Sequence, residues 1–155
     1  MEATKVLKDE HRVIEFFLGA LEIQAARLQS ESPVRPEFFL DAIVFMRDFV
    51  DERHQRKEEE TLCVALIEAG MAKDSGPIAE LLADHARARE FWQAIEKHAR
   101  ILLGGGTNAR LELARQAAGY VALLTGHIRA EEQNLFPSLQ LIPTDVQAEL
   151  AAEFE

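Results

Sequence analysis

Apolar residues recur at helical spacing along nearly the whole chain. Val6, Leu7, Ile14, Phe17, Leu18, Leu21 and Leu28 form one stripe and predict a first amphipathic helix over about residues 4–29. The polar stretch SESPVRP interrupts it, and Pro36 stands where a first helical turn tolerates proline. A second periodic segment follows from Glu37 to Ala69 and stops at Gly70. Ser75, Gly76 and Pro77 open a third helix that runs to about Leu103, where Gly104, Gly105 and Gly106 end it. Thr107 or Asn108 is placed to cap a fourth helix extending to about Phe136, before Pro137, and Thr144 with Asp145 opens a short fifth. Four long helices with short connections predict an all-α fold: an up-down-up-down antiparallel four-helix bundle with a short C-terminal helix.

Composition narrows the partners. The 155 residues fit one domain, 1–155, and the 48% hydrophobic and 28% charged content suits a packed helical protein rather than a disordered one. A formal charge of -10 argues against nucleic acid, which needs a surplus of lysine and arginine, and favours cations. Cys63 is the one cysteine, so no internal disulfide forms. The N-terminal MEATKVLKDEH has no apolar leader core and no long apolar run follows, so no membrane partner and a cytoplasmic location are expected. The nine phenylalanines and the amphipathic tail fit a homodimer interface as well as a core.

The segment DEHRVIEFFLGALE, residues 9–22, lies over ADHARAREFWQAIE, residues 83–96, with His11 on His85, Phe17 on Phe91, Leu21 on Ile95 and Glu22 on Glu96. The offset is 74 residues; in the second helix of each half, His54 falls on His127 and Glu58 on Glu131 at an offset of 73. One helix-loop-helix unit thus occurs twice. Two such hairpins packed about a pseudo-two-fold axis bring two half-sites together.

A step of four residues is a little more than one helical turn, so the histidine and glutamate of each second helix leave the same face. Imidazole suits iron, zinc, copper and nickel, while a carboxylate is harder and bridges metals readily. A mixed set spread over four helices matches carboxylate-bridged di-iron bundles. Cys63, nine residues beyond His54, falls on the opposite face of a regular α-helix and is read as core.

HQRKEEETL and HIRAEEQNLFP, together with Asp84-His85 and the echoing Glu10-His11, resemble the hemerythrin-like, or HHE cation-binding, family over the chain to about Pro137. The resemblance implies His11, His54, His85 and His127 as terminal metal ligands and Glu58 and Glu131 as bridges. It implies two iron ions joined by an oxo or hydroxo bridge, with zinc or manganese able to substitute. Oxygen-carrying hemerythrins have a fifth histidine where this chain has Arg89. The set of four histidines and two glutamates is instead similar to bacterial di-iron proteins linked to iron-sulfur cluster repair, whose cysteine-bearing N-terminal domain has no counterpart in these residues.

Several neighbours carry two readings each. Glu15 and Arg89 are repeat partners on the metal-facing side, expected either to pair across the bundle mouth or, for Glu15, to act as an extra ligand. Glu59, Glu60 and Glu132 lie well round the helix from the bridging positions and are read as supporting or surface residues. Tyr120, two turns before His127, is either a core tyrosine or a gate, and His98 is expected at the surface. Each metal would have about four protein donors and an open position. Three functions fit: binding, sensing or reduction of a small diatomic or peroxide ligand (or iron handling under oxidative or nitrosative stress); a metal-dependent interaction module; and a purely structural bundle with incidental histidines.

Overall fold

The computed structural model describes residues 3–154, and among them there is no strand. Helix α1 spans Ala3–Gln29. Helix α2 is one continuous path through Pro36–Val44, Phe45–Gln55, Glu58–Leu62 and Cys63–Glu68, and α3 spans Gly76–Leu103. Helix α4 begins as the 3-10 turn Thr107–Ala109, continues through Arg110–Ala130 and Glu131–Leu135, and tightens into Phe136–Leu141. Helix α5 spans Thr144–Phe154.

The boundaries follow the expected punctuation. Pro36 sits in the first turn of α2, and Gly70 and Gly105 turn the chain at φ +103° and +89° beyond α2 and α3. The expected cap of α4 differs: Ala109 holds the capping position with no side-chain hydrogen bond, and the Thr107 side chain lies outside the described residues.

The helices form an up-down-up-down bundle in which α1 packs on α4, α4 on α3, and α3 on α2, while α5 packs across α1. Two apolar clusters fill it. The larger contains Ile14, Leu18, Leu21, Leu28, Phe39, Met46, Ile95, Tyr120 and Leu124; the smaller contains Leu7, Leu62, Cys63, Leu66, Ile78, Leu81, Leu135 and Phe136. Each fully buried leucine contributes roughly 1.5–3 kcal/mol relative to exposure. On each of α1–α4 buried polar residues fall where the two clusters meet: Glu10 and His11, His54 and Glu58, His85, and His127 and Glu131. A polar layer therefore crosses a bundle that is apolar on both sides of it. No helix among the described residues is long and apolar enough to cross a membrane.

Candidate metal centre

The backbone itself is adapted at the carboxylates. Glu58–Leu62 and Glu131–Leu135 are both π-helical, and they occupy equivalent positions in the two halves of the repeat. A π turn bonds i to i+5 and recurs at functional sites in helices, where it re-aims a side chain that a regular α turn would direct elsewhere. Phe45–Gln55, which carries His54, is π-helical as well.

All six predicted donor residues meet in one buried cluster. His11, His54, Glu58 and Glu131 form one group whose donor atoms lie within 4.8 Å of one another, and Glu58, His85, His127 and Glu131 form a second. His54 Nε2 is 3.1 Å from Glu58 Oε1 and His85 Nε2 is 3.2 Å from Glu58 Oε2. His11 and His127 approach Glu131 Oε2 at 3.1 and 3.4 Å through their Nε2 atoms. Each carboxylate thus stands between one histidine of each half. The Nε2 atoms of His85 and His127 are 3.2 Å apart.

Each of these four imidazoles turns its other nitrogen outward to a carboxylate. Nδ1 of His54 donates to Glu10 at 2.9 Å, that of His85 to Glu59 at 2.7 Å, that of His11 to Glu132 at 3.0 Å, and that of His127 to Asp84 at 3.3 Å. An ionised carboxylate only accepts, so each Nδ1 carries the proton and Nε2 is left for the centre. Such partners fix ring orientation and raise ligand basicity. The stacked ring of Phe136, 5.6 Å from His11 at an interplanar angle of 6°, holds that imidazole further.

The donor set fits a metal better than it fits hydrogen bonding. His11 Nε2, His54 Nε2 and both oxygens of Glu58 and of Glu131 are buried with no partner of hydrogen-bonding geometry, despite the close N to O approaches. Burying two carboxylates and leaving their oxygens unpartnered is costly unless a cation satisfies them.

Electrostatics agree. Burial alone would lower the histidines, but Glu131 and Glu58 override it and raise His11 to about 10. His54 rises to about 9 against the same burial through Glu58 and Glu10, and His85 to about 9 through Glu58 and Glu59. Burial raises Glu58, yet His54, His11 and His85 hold it well below the ordinary carboxylate range. The layer attracts positive charge strongly, and without a metal protons supply it.

The supporting residues correct part of the sequence reading. Arg89 does not meet Glu15: it donates to Asp51 and Glu59, both at 2.8 Å, while Glu15 is exposed and accepts from Arg12 at 2.7 Å. Arg89 is therefore outside His85, with Glu59 between, and Glu15 is in neither donor group. Glu59 and Glu132 support histidines as described; Glu60 is exposed and accepts from Arg56 at 3.0 Å. Tyr120 is fully buried in the larger apolar cluster, its hydroxyl unpartnered and its ionisation pushed far up by burial. His98 is half-buried rather than at the surface and lies in neither donor group.

Cys63 is core as expected, but the π turns before it take more residues per turn and undo the opposite-face argument. It occupies the register position of Phe136, and its thiol is raised to about 12 by burial and then by Glu58, Glu131 and Glu59. The roles of Glu10 and Asp84 were missed. The Glu10-His11 and Asp84-His85 pairs were visible, but each acid serves the histidine of the next helix rather than its neighbour.

The family model for the hemerythrin HHE cation binding domain matches residues 2–139. No curated protein and no solved structure shows significant similarity to the chain.

Proposed function

The chain belongs to the hemerythrin HHE cation-binding family, a metal-binding helical bundle, and from that premise we propose that residues 1–155 form one domain holding two iron ions. His11 and His54 would hold one ion and His85 and His127 the other, with Glu58 and Glu131 shared between them. The observation that carries this reading is that the two donor groups share the same two glutamates. Two imidazoles and two carboxylate oxygens leave each ion short of six-coordination. A bound iron pair supplies open positions and accessible redox states for a small molecule such as oxygen, nitric oxide or peroxide.

The chain's own contribution is to position and exclude. The four outer carboxylates hold the imidazoles in the ligating tautomer, and the apolar clusters on both sides keep bulk water from the centre. Lys57 and Arg53 pair with Glu10, and Arg89 with Glu59, so these two outer acids stay ionised and in place.

The test is anaerobic reconstitution with ferrous iron, since zinc otherwise competes for nitrogen and oxygen donors. Two irons per chain, with near-ultraviolet bands of a bridged ferric pair after oxidation, are expected. One iron or none overturns the reading. Stopped-flow mixing of the reduced protein with oxygen, nitric oxide and peroxide then separates a stable adduct from turnover.

A further inference from the structure

The two halves of the bundle differ on the outer side of their second-helix histidines. Around His54 the space is plugged. Glu10 accepts from His54 at 2.9 Å, and Lys57 Nζ donates to Glu10 at 2.6 Å and to the Phe154 carbonyl at 2.8 Å, which ties the plug to α5. At the equivalent positions around His127 the repeat has Asp84 for Glu10 and Ala130 for Lys57. The acid is one methylene shorter, and the side chain that reaches α5 in the first half is a methyl group in the second.

A pocket of about 40 Å³ lies where the plug is missing. It is lined by the buried His127 and Glu131, the half-buried Asp84 and Ala130, and the exposed Glu80 and Asn134. A water needs roughly 10–15 Å³ of such space, so a diatomic molecule or hydrogen peroxide fits and a larger substrate does not. On the first half the corresponding hollow is lined by Arg53, Lys57, Thr61 and Glu153 and by none of the six donor residues, and Glu10 is closed over by Lys57.

We infer that small uncharged molecules reach the metal centre through this pocket between α3 and α4, on the side of His85 and His127, and that the small side chain of Ala130 keeps the route open. The inference rests on the di-iron reading and adds which half of the centre is reached. Glu80 and Asp84 place carboxylates at the route, so it disfavours anions such as azide relative to nitric oxide or oxygen.

The test uses the iron-loaded protein and two variants, Ala130→Lys, which copies the plug of the first half, and Ala130→Leu. Stopped-flow absorbance follows nitric oxide binding to the reduced form, and iron content and oxidised spectra are recorded in parallel. Both variants are expected to keep two irons and the same spectrum while binding nitric oxide at least about tenfold more slowly, a barrier change of about 1.4 kcal/mol. Crystal structures of the variants should show the new side chain in the pocket. Ala122→Leu, the same enlargement on the exposed face of α4, should bind at the wild-type rate. Azide binding to the oxidised form should be faster in Glu80→Gln at low salt. Wild-type nitric oxide rates in both Ala130 variants, with the pocket filled, overturn the route and leave the di-iron reading standing; failure of the wild type to take up two irons removes both. An azide rate indifferent to Glu80→Gln overturns the preference for uncharged molecules.

Discussion

Glu10 is next to His11 in the chain, yet its carboxylate serves His54 on the adjacent helix, accepting the Nδ1 proton at 2.9 Å. Asp84, next to His85, serves His127 in the same way at 3.3 Å. Glu59 and Glu132 complete the exchange from the second helices, so each hairpin half is held by outer acids that cross between helices. Burial by itself would raise Glu10, but His54 and Lys57 hold it at about 2, so it stays an acceptor throughout the physiological range.

Glu10→Ala should therefore weaken metal binding without removing any ligand. A lost outer partner of a ligating histidine typically costs 10–100-fold in affinity. Competition titration against a chelator should show about that loss for one of the two ions, with Glu10→Gln, which keeps an acceptor oxygen, falling between. An affinity unchanged in Glu10→Ala would mean that the hydrogen bond does not orient His54.

The two glutamates proposed as bridges, Glu58 and Glu131, should behave differently from any single histidine. Glu58 stands between His54 and His85, and both of its oxygens are without hydrogen-bond partners. Glu58→Ala is expected to lose both ions, whereas His54→Ala should retain at least one, as read by metal analysis of the purified proteins. Two irons and an unaltered spectrum in Glu58→Ala would remove the bridging role.

The four helices, their order and the six buried donors were legible in the sequence because hydrophobic period and the internal repeat report on helix faces directly. Cys63 and Glu15 show where that legibility stops. Counting turns from His54 to Cys63 assumes a regular helix, and π turns over Phe45–Gln55 and Glu58–Leu62 shift the phase. Glu15 shares a face with His11 by spacing, but Arg12 is one turn away on the exposed side and captures it at 2.7 Å. Spacing specifies a direction on one helix; which acid meets which base across helices is decided by packing.

Proton competition gives a pH prediction with a defined sign. In the metal-free chain burial lowers the histidines, but the acids around them raise His11 to about 10 and His54 and His85 to about 9. Groups raised on folding stabilise fully below their unfolded value of about 6.5 and lose that contribution as pH climbs through the folded values. The melting temperature of the metal-free protein should therefore fall progressively from about pH 6.5 to about 10, while the metal-loaded protein, in which the proposed ions would take the place of the Nε2 protons, should not follow it. Calorimetric melts of both forms across that range check this. Parallel pH profiles would contradict proton occupancy of the centre.

Packing away from the centre is testable at Gly119. A Cβ there would run into the Phe91 ring, so α3 and α4 approach through the missing side chain. Gly119→Ala should destabilise by about 1–3 kcal/mol as the ring is displaced, with a melting temperature lower by several degrees. Metal content should be unchanged; an unaltered melting temperature would show that the ring moves freely.

Arg89 carries the last prediction, because its position is where the oxygen-carrier pattern is broken. Its guanidinium donates to Glu59 and Asp51 at 2.8 Å each, and Glu59 in turn accepts from His85 at 2.7 Å. Its charge is thus neutralised by two acids before it reaches the centre, and it acts on His85 only by holding Glu59 in place. Arg89 is about one third exposed, so solvent screens the pair and the effect of losing it should be smaller than that of losing Glu10, less than about tenfold in metal affinity. A residue acting through another gives no further loss once the other is gone. Arg89→Ala should therefore weaken metal binding modestly in the wild-type background and not at all in Glu59→Ala, while azide affinity of the fully loaded protein stays the same in Arg89→Ala. Additive losses in the double variant, or azide binding that weakens with Arg89→Ala, would show instead that the guanidinium acts on the centre directly.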